Sequence, residues 1–244
     1  DDVRAIIARE KDPEAESTWG MKMAMADAFY AWGRYDEARG IYESLFKKYP
    51  EAPPAGLTSF YMNSAYRYAQ MLIMMGNEAG ACQAYEQVLK VLPKSDRERR
   101  HIRRQVVAEM TELLVKRAEA TDKEDERAAL LKRADELCTE LLWVQDLWFG
   151  KAIVMMAHAR LIQGDVDGAN KLVDEYWPQL KQIDDILKEQ AGEIGEDLTR
   201  LSPMAECRYL LGVIMHDKAM ALLGPSGGDR NKALELLAGK MVGG

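Results

Sequence analysis

Three glycines set the chain in register with itself. Gly33, Gly76 and Gly164 each have an alanine seven residues before (Ala26, Ala69, Ala157) and another five residues after (Ala38, Ala81, Ala169). The first two add a tyrosine nine residues on (Tyr42, Tyr85) and a proline seventeen residues on (Pro50, Pro93). The glycines stand 43 and 88 residues apart, and 88 is close to twice 44. A recurring unit of this length must stack on its own copies to bury a core, which excludes most single-core folds. The spacing predicts a further hinge near residue 120, where Ala120-Thr121-Asp122 lies between two long apolar-periodic segments. The physical reading is a stack of helical hairpins. Small residues lie where paired helices approach, glycine makes the tight turn, and proline closes the second helix.

Apolar residues elsewhere recur three and four apart, and Val, Ile and Thr never run in strict alternation, so the chain reads as all-α. Helix starts are legible at Asp12-Pro13-Glu14, Ser95-Asp96, Thr121-Asp122, Asp146 and Ser202-Pro203. About five antiparallel hairpins with elongated helices are expected, over residues 14–50, 57–93, 97–145, 147–191 and 203–240, in one helical-repeat domain. The series Ala169, Leu172, Val173, Tyr176, Leu180, Ile183, Leu187 and Ala191 keeps one helical phase across Pro178. That phase predicts one long kinked helix, or two nearly coaxial ones, over a loop. Gly192–Ser202 reads as a linker and Gly224–Gly228 as the most flexible stretch. A first residue of Asp, and a last stretch Gly-Lys-Met-Val-Gly-Gly, read as a fragment or a processed chain.

Composition narrows the functional classes. A net charge of −7 provides no overall field drawing the chain onto nucleic acid or anionic lipid. No apolar run approaches the ~20 residues of a membrane span, so direct membrane insertion is not expected. Cys82, Cys138 and Cys207 sit in apolar, helix-like segments and read as buried small hydrophobes rather than a disulfide framework. The histidines are His101, His158 and His216, none at metal-ligand spacing from a cysteine. There is no Gly-rich phosphate loop, His-Glu-x-x-His or Cys-x-x-Cys. Asp184-Asp185 reads as a solvated polar face. No catalytic residue, cofactor or metal is expected.

At this point the residues carry a resemblance. Met25-Ala26, Phe29, Gly33-Arg34-Tyr35-Asp36-Glu37-Ala38, Tyr42, Leu45 and Pro50 resemble a tetratricopeptide repeat at nearly every signature position. Ala69, Leu72, Gly76 to Ala81, Tyr85, Val88 and Pro93 resemble a second. Ala157 with Gly164 to Ala169 is a weaker third, and Leu211-Gly212 with Ala233 and Leu237 suggests another hairpin. The resemblance implies an α-solenoid, a right-handed superhelix whose first helices line a concave groove for a protein or peptide partner. Carried over by register, the groove falls on Met23, Asp27, Tyr30, Asn63, Tyr66, Gln70 and Ile73, then Lys151, Val154, His158, Tyr209 and His216. Tyr66 is the expected anchor, with Asn63 and Gln70 about one turn to either side. The alternative is that these residues contact a neighbouring helix of the same chain. The chaperone-tail clamp of some relatives needs Lys and Asn where this chain has Met23, Asp27 and Arg67, so that ligand is not expected.

Two further groups stand out. Trp32, Tyr35, Tyr42, Tyr85, Trp143, Trp148 and Trp177 lie at helical spacing near hairpin turns and are assigned to packing between hairpins. Lys94, Arg97, Arg99, Arg100, Arg103 and Arg104 form a basic run opening the third hairpin, where cations oppose the helix dipole. It is either a solvated helix start or a patch for an acidic segment. Aromatics are not interleaved with it, so nucleic acid is not the expected partner. The reading is thus a non-catalytic protein–protein interaction module. The alternatives are an architectural or oligomerisation spacer and, remotely, an enzyme on a helical-repeat scaffold. Repeats of this kind are common in bacterial envelopes and in cytosols, so periplasmic and cytoplasmic placements and the oligomeric state stay open.

Overall fold

The computed structural model describes residues 15–194, 201–223 and 230–238. The signal at Asp12-Pro13-Glu14 and the Gly224–Gly228 segment lie outside them. Among the described residues there are ten α-helices, one short 3-10 turn at Ala55–Leu57, and no strand. The helices are α1 (Glu16–Ala31), α2 (Tyr35–Lys48), α3 (Thr58–Met74), α4 (Glu78–Val91) and α5 (Arg100–Ala120). They continue with α6 (Glu124–Leu141), α7 (Leu147–Ile162), α8 (Val166–Ile194), α9 (Pro203–Leu223) and α10 (Arg230–Ala238). The architecture is all-α and built of helical hairpins, consistent with an α-solenoid. Residues gather into two compact units, Asp1–Arg117 and Ala118–Gly244, divided near the end of α5.

The register glycines make the turns for a backbone reason. Gly33, Gly76 and Gly164 have φ of 72°, 75° and 77°, a left-handed conformation that a Cβ disfavours. Each closes the same pair of hydrogen bonds. Gly33 N–H donates to Tyr30 O (3.0 Å) and Arg34 N–H to Phe29 O (2.8 Å). The matching bonds run from Gly76 and Asn77 to Ile73 and Leu72, and from Gly164 and Asp165 to Leu161 and Arg160. This arrangement satisfies carbonyls that a helix end would otherwise leave open. The hairpin without such a glycine turns where the 44-residue spacing expects, between Ala120 and Glu124. There Arg127 does the capping: its guanidinium donates to the carbonyls of Ala118 (3.3 Å) and Thr121 (2.6 Å).

The register alanines lie where helices meet. Ala26, Ala38, Ala69, Ala81 and Ala169 are fully buried, and Ala157 nearly so. In the first unit α1 pairs with α2 and α3 with α4, and α3 packs against both α1 and α2. Trp19, Met23, Leu45, Leu57 and Tyr61 form one core cluster, and Ala26, Phe29, Ala38, Tyr42 and Met71 another. Replacing Ala81 with Leu inserts a branched chain into the α3–α4 contact and is expected to destabilise the protein by about 1–3 kcal/mol. A thermal melt checks this, and an unchanged melting temperature would contradict the packing.

In the second unit α8 is one continuous helix through Pro178. Its stripe of Ala169, Leu172, Val173, Leu180, Ile183 and Leu187 packs with Phe149, Ile153 and Ala157 of α7 and Cys207 of α9. The three cysteines are buried, and burial pushes the Cys207 thiol up to about 12.

Several expectations are corrected. The helix extends to Ile194, which overturns a linker start at Gly192; residues 195–200 of that stretch lie outside the described residues, and Ser202 caps α9. Trp32 and Trp143 are not packed between hairpins but 70% and 85% exposed. Trp32 directly follows the end of α1 and Trp143 stands two residues past the end of α6, where helical phase no longer dictates which way a side chain points. Asp184 is not on a solvated face but 4% exposed. It accepts from Ser202 Oγ (2.5 Å), and the Lys188 ammonium lies 2.6 Å from its other oxygen.

Candidate partner-binding face

The residues expected to line a groove in the first unit lie on α1 and α3, and most of their polar atoms are committed within the chain. Asp27 on α1 accepts from the Tyr42 hydroxyl (3.0 Å) and the Ser64 hydroxyl (3.4 Å), and pairs with Arg67 (2.7 Å). Burial raises its carboxyl above the usual range, although Arg67, Tyr42 and Ser64 all favour the anion. Gln70 stands one repeat further on, and its amide donates to the Tyr85 hydroxyl (2.7 Å). The register therefore repeats a pairing between the first helix and the tyrosine of the second, with an amide replacing the carboxylate.

A second acid, which the sequence reading did not single out, gathers this layer. Glu109 on α5 accepts from Tyr66 (2.9 Å) and Gln105 (2.9 Å) at Oε1, and from Gln70 (2.7 Å) and Tyr85 (2.7 Å) at Oε2. Gln105 also donates to the Tyr66 hydroxyl (2.9 Å). Burial, then the Glu109 charge, raises the Tyr66 phenol well above its ordinary value, and burial with the Glu109 hydrogen bond does the same for Tyr85. Both hydroxyls stay protonated and donate. The only signal for Glu109 in the sequence was its place 43 residues after Tyr66.

Part of this face stays accessible. Asn63 is exposed, and Tyr30, Tyr66, Arg67 and Gln70 are half-buried, each presenting part of its surface. Tyr30 leans on Tyr35 (5.8 Å between centroids), and Tyr66 on Tyr85 (6.0 Å). Arg67 is 41% exposed and oriented by Asp27. Met23, expected to line the groove, is instead fully buried in the core of the first unit, because α1 packs that position against α2 and α3.

The remaining groove candidates belong to the second unit. Val154 is fully buried in the α7–α8 core, which corrects its groove assignment. His158 is half-buried, with Nε2 3.6 Å from Glu119 Oε1; Glu119 is 62% exposed, making this a surface contact. Tyr209 is 71% exposed on α9. Arg103 and Arg104, expected in a basic patch, are 8% and 6% exposed. Arg103 turns inward and donates to the carbonyls of Leu89 and Leu92, which end α4. Arg99 is tied to Asp96 (3.0 Å), while Arg97 and Arg100 stay exposed. Among the described residues no group of three or more His, Cys, Asp or Glu is placed to hold a metal. No described helix is long and apolar enough to cross a membrane.

Comparison with known proteins agrees with this geometry. Residues 23–52 and 64–95 match the tetratricopeptide repeat model, so the chain is a helical-repeat protein carrying tetratricopeptide repeats in its first two hairpins. Such repeats generally mediate protein–protein interaction and are typically non-catalytic. No curated protein and no solved structure matches the chain significantly.

Proposed function

We propose that this chain is a non-catalytic interaction module, and that the α1–α3 face of its first unit receives a peptide or helix of a partner protein. One observation carries the reading: Tyr66, Gln70 and Arg67 are each fixed by an internal hydrogen bond or ion pair yet remain partly exposed. Side chains ordered before binding lose little rotamer freedom on binding, which favours affinity. Exposed Asn63 and half-buried Tyr30 flank them, an amide to pair with extended backbone and an aromatic surface to bury. The partner is a protein rather than nucleic acid, since the chain is acidic overall.

The test places a photo-crosslinking amino acid at Asn63 and, as a control, at Gln83, which is exposed on α4. Adducts with a protein of the source cell are expected from position 63 and not from 83. Equal labelling at both, or labelling from 83 alone, would remove the site from this face. The alternative, an architectural or oligomerisation element, draws on α9, where Tyr209, Val213 and Met220 are 71%, 40% and 54% exposed at helical spacing. Self-association abolished by Tyr209→Ser in sedimentation experiments would favour it.

A further inference from the structure

The basic run divides in the structure. Arg103 and Arg104 turn inward, whereas Lys94, Arg97 and Arg100 remain exposed. The fold then adds charge from other elements. The Arg103 hydrogen bonds set the start of α5 against the end of α4. Near that end, Lys90 reaches the Pro50 carbonyl (3.2 Å) and the Glu51 carboxylate (3.2 Å). Exposed Lys47 and Lys48, at the end of α2, lie directly upstream in the chain. The end of the first unit away from its glycine turns therefore collects cations from α2, α4 and the start of α5. Of the described acids at that end, Asp96 holds Arg99 and Glu51 holds Lys90, while Glu98 and Glu16 are exposed, so the described cations outnumber them. The first turn of α5 holds no acid, so exposed cations sit at the positive end of its dipole. The Asp96 carboxylate, which accepts from Arg99 N–H (3.0 Å), offsets part of this positive field, and a bound anion offsets more.

We propose that this surface docks an acidic segment of a partner protein, separately from the α1–α3 face. A short acidic stretch senses the local positive charge, and screening over about 10 Å hides the net charge of −7 carried by the whole chain. A long nucleic-acid backbone extends beyond the patch and meets that acidic remainder. The nearby aromatic Tyr49 is turned edge-on against Trp19 (5.9 Å) rather than offered for base stacking. The segment Lys94–Arg100 has no apolar side chain to insert into a lipid surface.

The test measures fluorescence anisotropy of a labelled short poly-glutamate peptide with the full chain at low and at raised salt. The peptide is expected to bind at low salt and to weaken as salt rises. Arg97→Glu with Arg100→Glu should lower affinity by about tenfold or more, and Lys47→Glu with Lys48→Glu by about threefold. Lys132→Glu on α6, exposed in the second unit, should stay within about twofold of the parent. The neutral pair Arg97→Gln with Arg100→Gln should lose affinity without lowering the melting temperature. Absence of peptide binding at low salt, or parent affinity in the Arg97/Arg100 variants, would overturn the proposal. So would a poly-thymidine strand or a phosphatidylserine vesicle that binds more tightly than the peptide and loses that binding in the same variants.

Discussion

Replacing Glu109 with alanine is expected to destabilise the protein by about 2–4 kcal/mol, because the donors of four hydrogen bonds lose their acceptor at once. Tyr66 and Gln70 belong to α3, Tyr85 to α4 and Gln105 to α5, so the carboxylate joins three helices. Tyr85 is fully buried, and its hydroxyl would keep only the Gln70 amide, which is itself a donor. Glu109→Gln should be milder, at about 1–2 kcal/mol, since the amide oxygen accepts but the amide nitrogen faces further donors. Urea unfolding followed by circular dichroism checks both. A change below about 0.5 kcal/mol for Glu109→Ala would mean the network contributes little. Tyr66→Phe distinguishes stability from binding: it removes one hydroxyl and keeps the aromatic surface. A modest loss of stability with partner affinity retained is the expected pattern if the ring, not the hydroxyl, meets the partner.

Asp184→Ala should destabilise the second unit by about 1–3 kcal/mol through the loss of its bonds to Ser202 and Lys188. Ser202 caps α9 by accepting from Ala205 N–H (3.1 Å), so Asp184 ties the second half of α8 to the start of the next helix. The effect carries a pH signature. Burial acts to raise the carboxyl, but hydrogen bonds from Lys188 and Ser202 outweigh it and hold the carboxyl below its usual range. A carboxylate favoured in the folded state contributes stability above its unfolded value of about 3.9, and that contribution is lost as pH falls through the lower folded value. The parent and Asp184→Ala should therefore differ in stability at neutral pH and converge only at pH well below the unfolded carboxylate value. Parallel pH profiles that never converge would show that Asp184 acts by packing and not by charge.

The α1–α3 face shows why a site is harder to read than a turn. Tyr66, Gln70 and Asp27 were placed on that face by counting from Gly33 and Gly76, and α1 and α3 do carry them. Whether their polar atoms point outward depends on the presence of Glu109 and Tyr42 within reach, and neither follows from periodicity. The same holds for Arg103 and Asp184, polar residues that a sequence assigns to the surface by type. Carbonyls at the end of α4 and the cap of α9 hold them inside.

Local chemistry by itself determined the all-α class, the turn at each register glycine, the buried alanines, the hinge after Ala120 and the unbroken phase across Pro178. These depend on backbone conformation and on a helical period of about 3.6 residues, both written in neighbouring residues. Tertiary structure alone decided which polar side chains are committed within the chain and which stay exposed. It buried Arg103 and Asp184, left Trp32 and Trp143 exposed, and brought Lys47, Lys90 and Arg100 to one end of the first unit. A charged or hydrogen-bonding group is buried only where partners from distant segments satisfy it, and those partners exist only once the helices have packed.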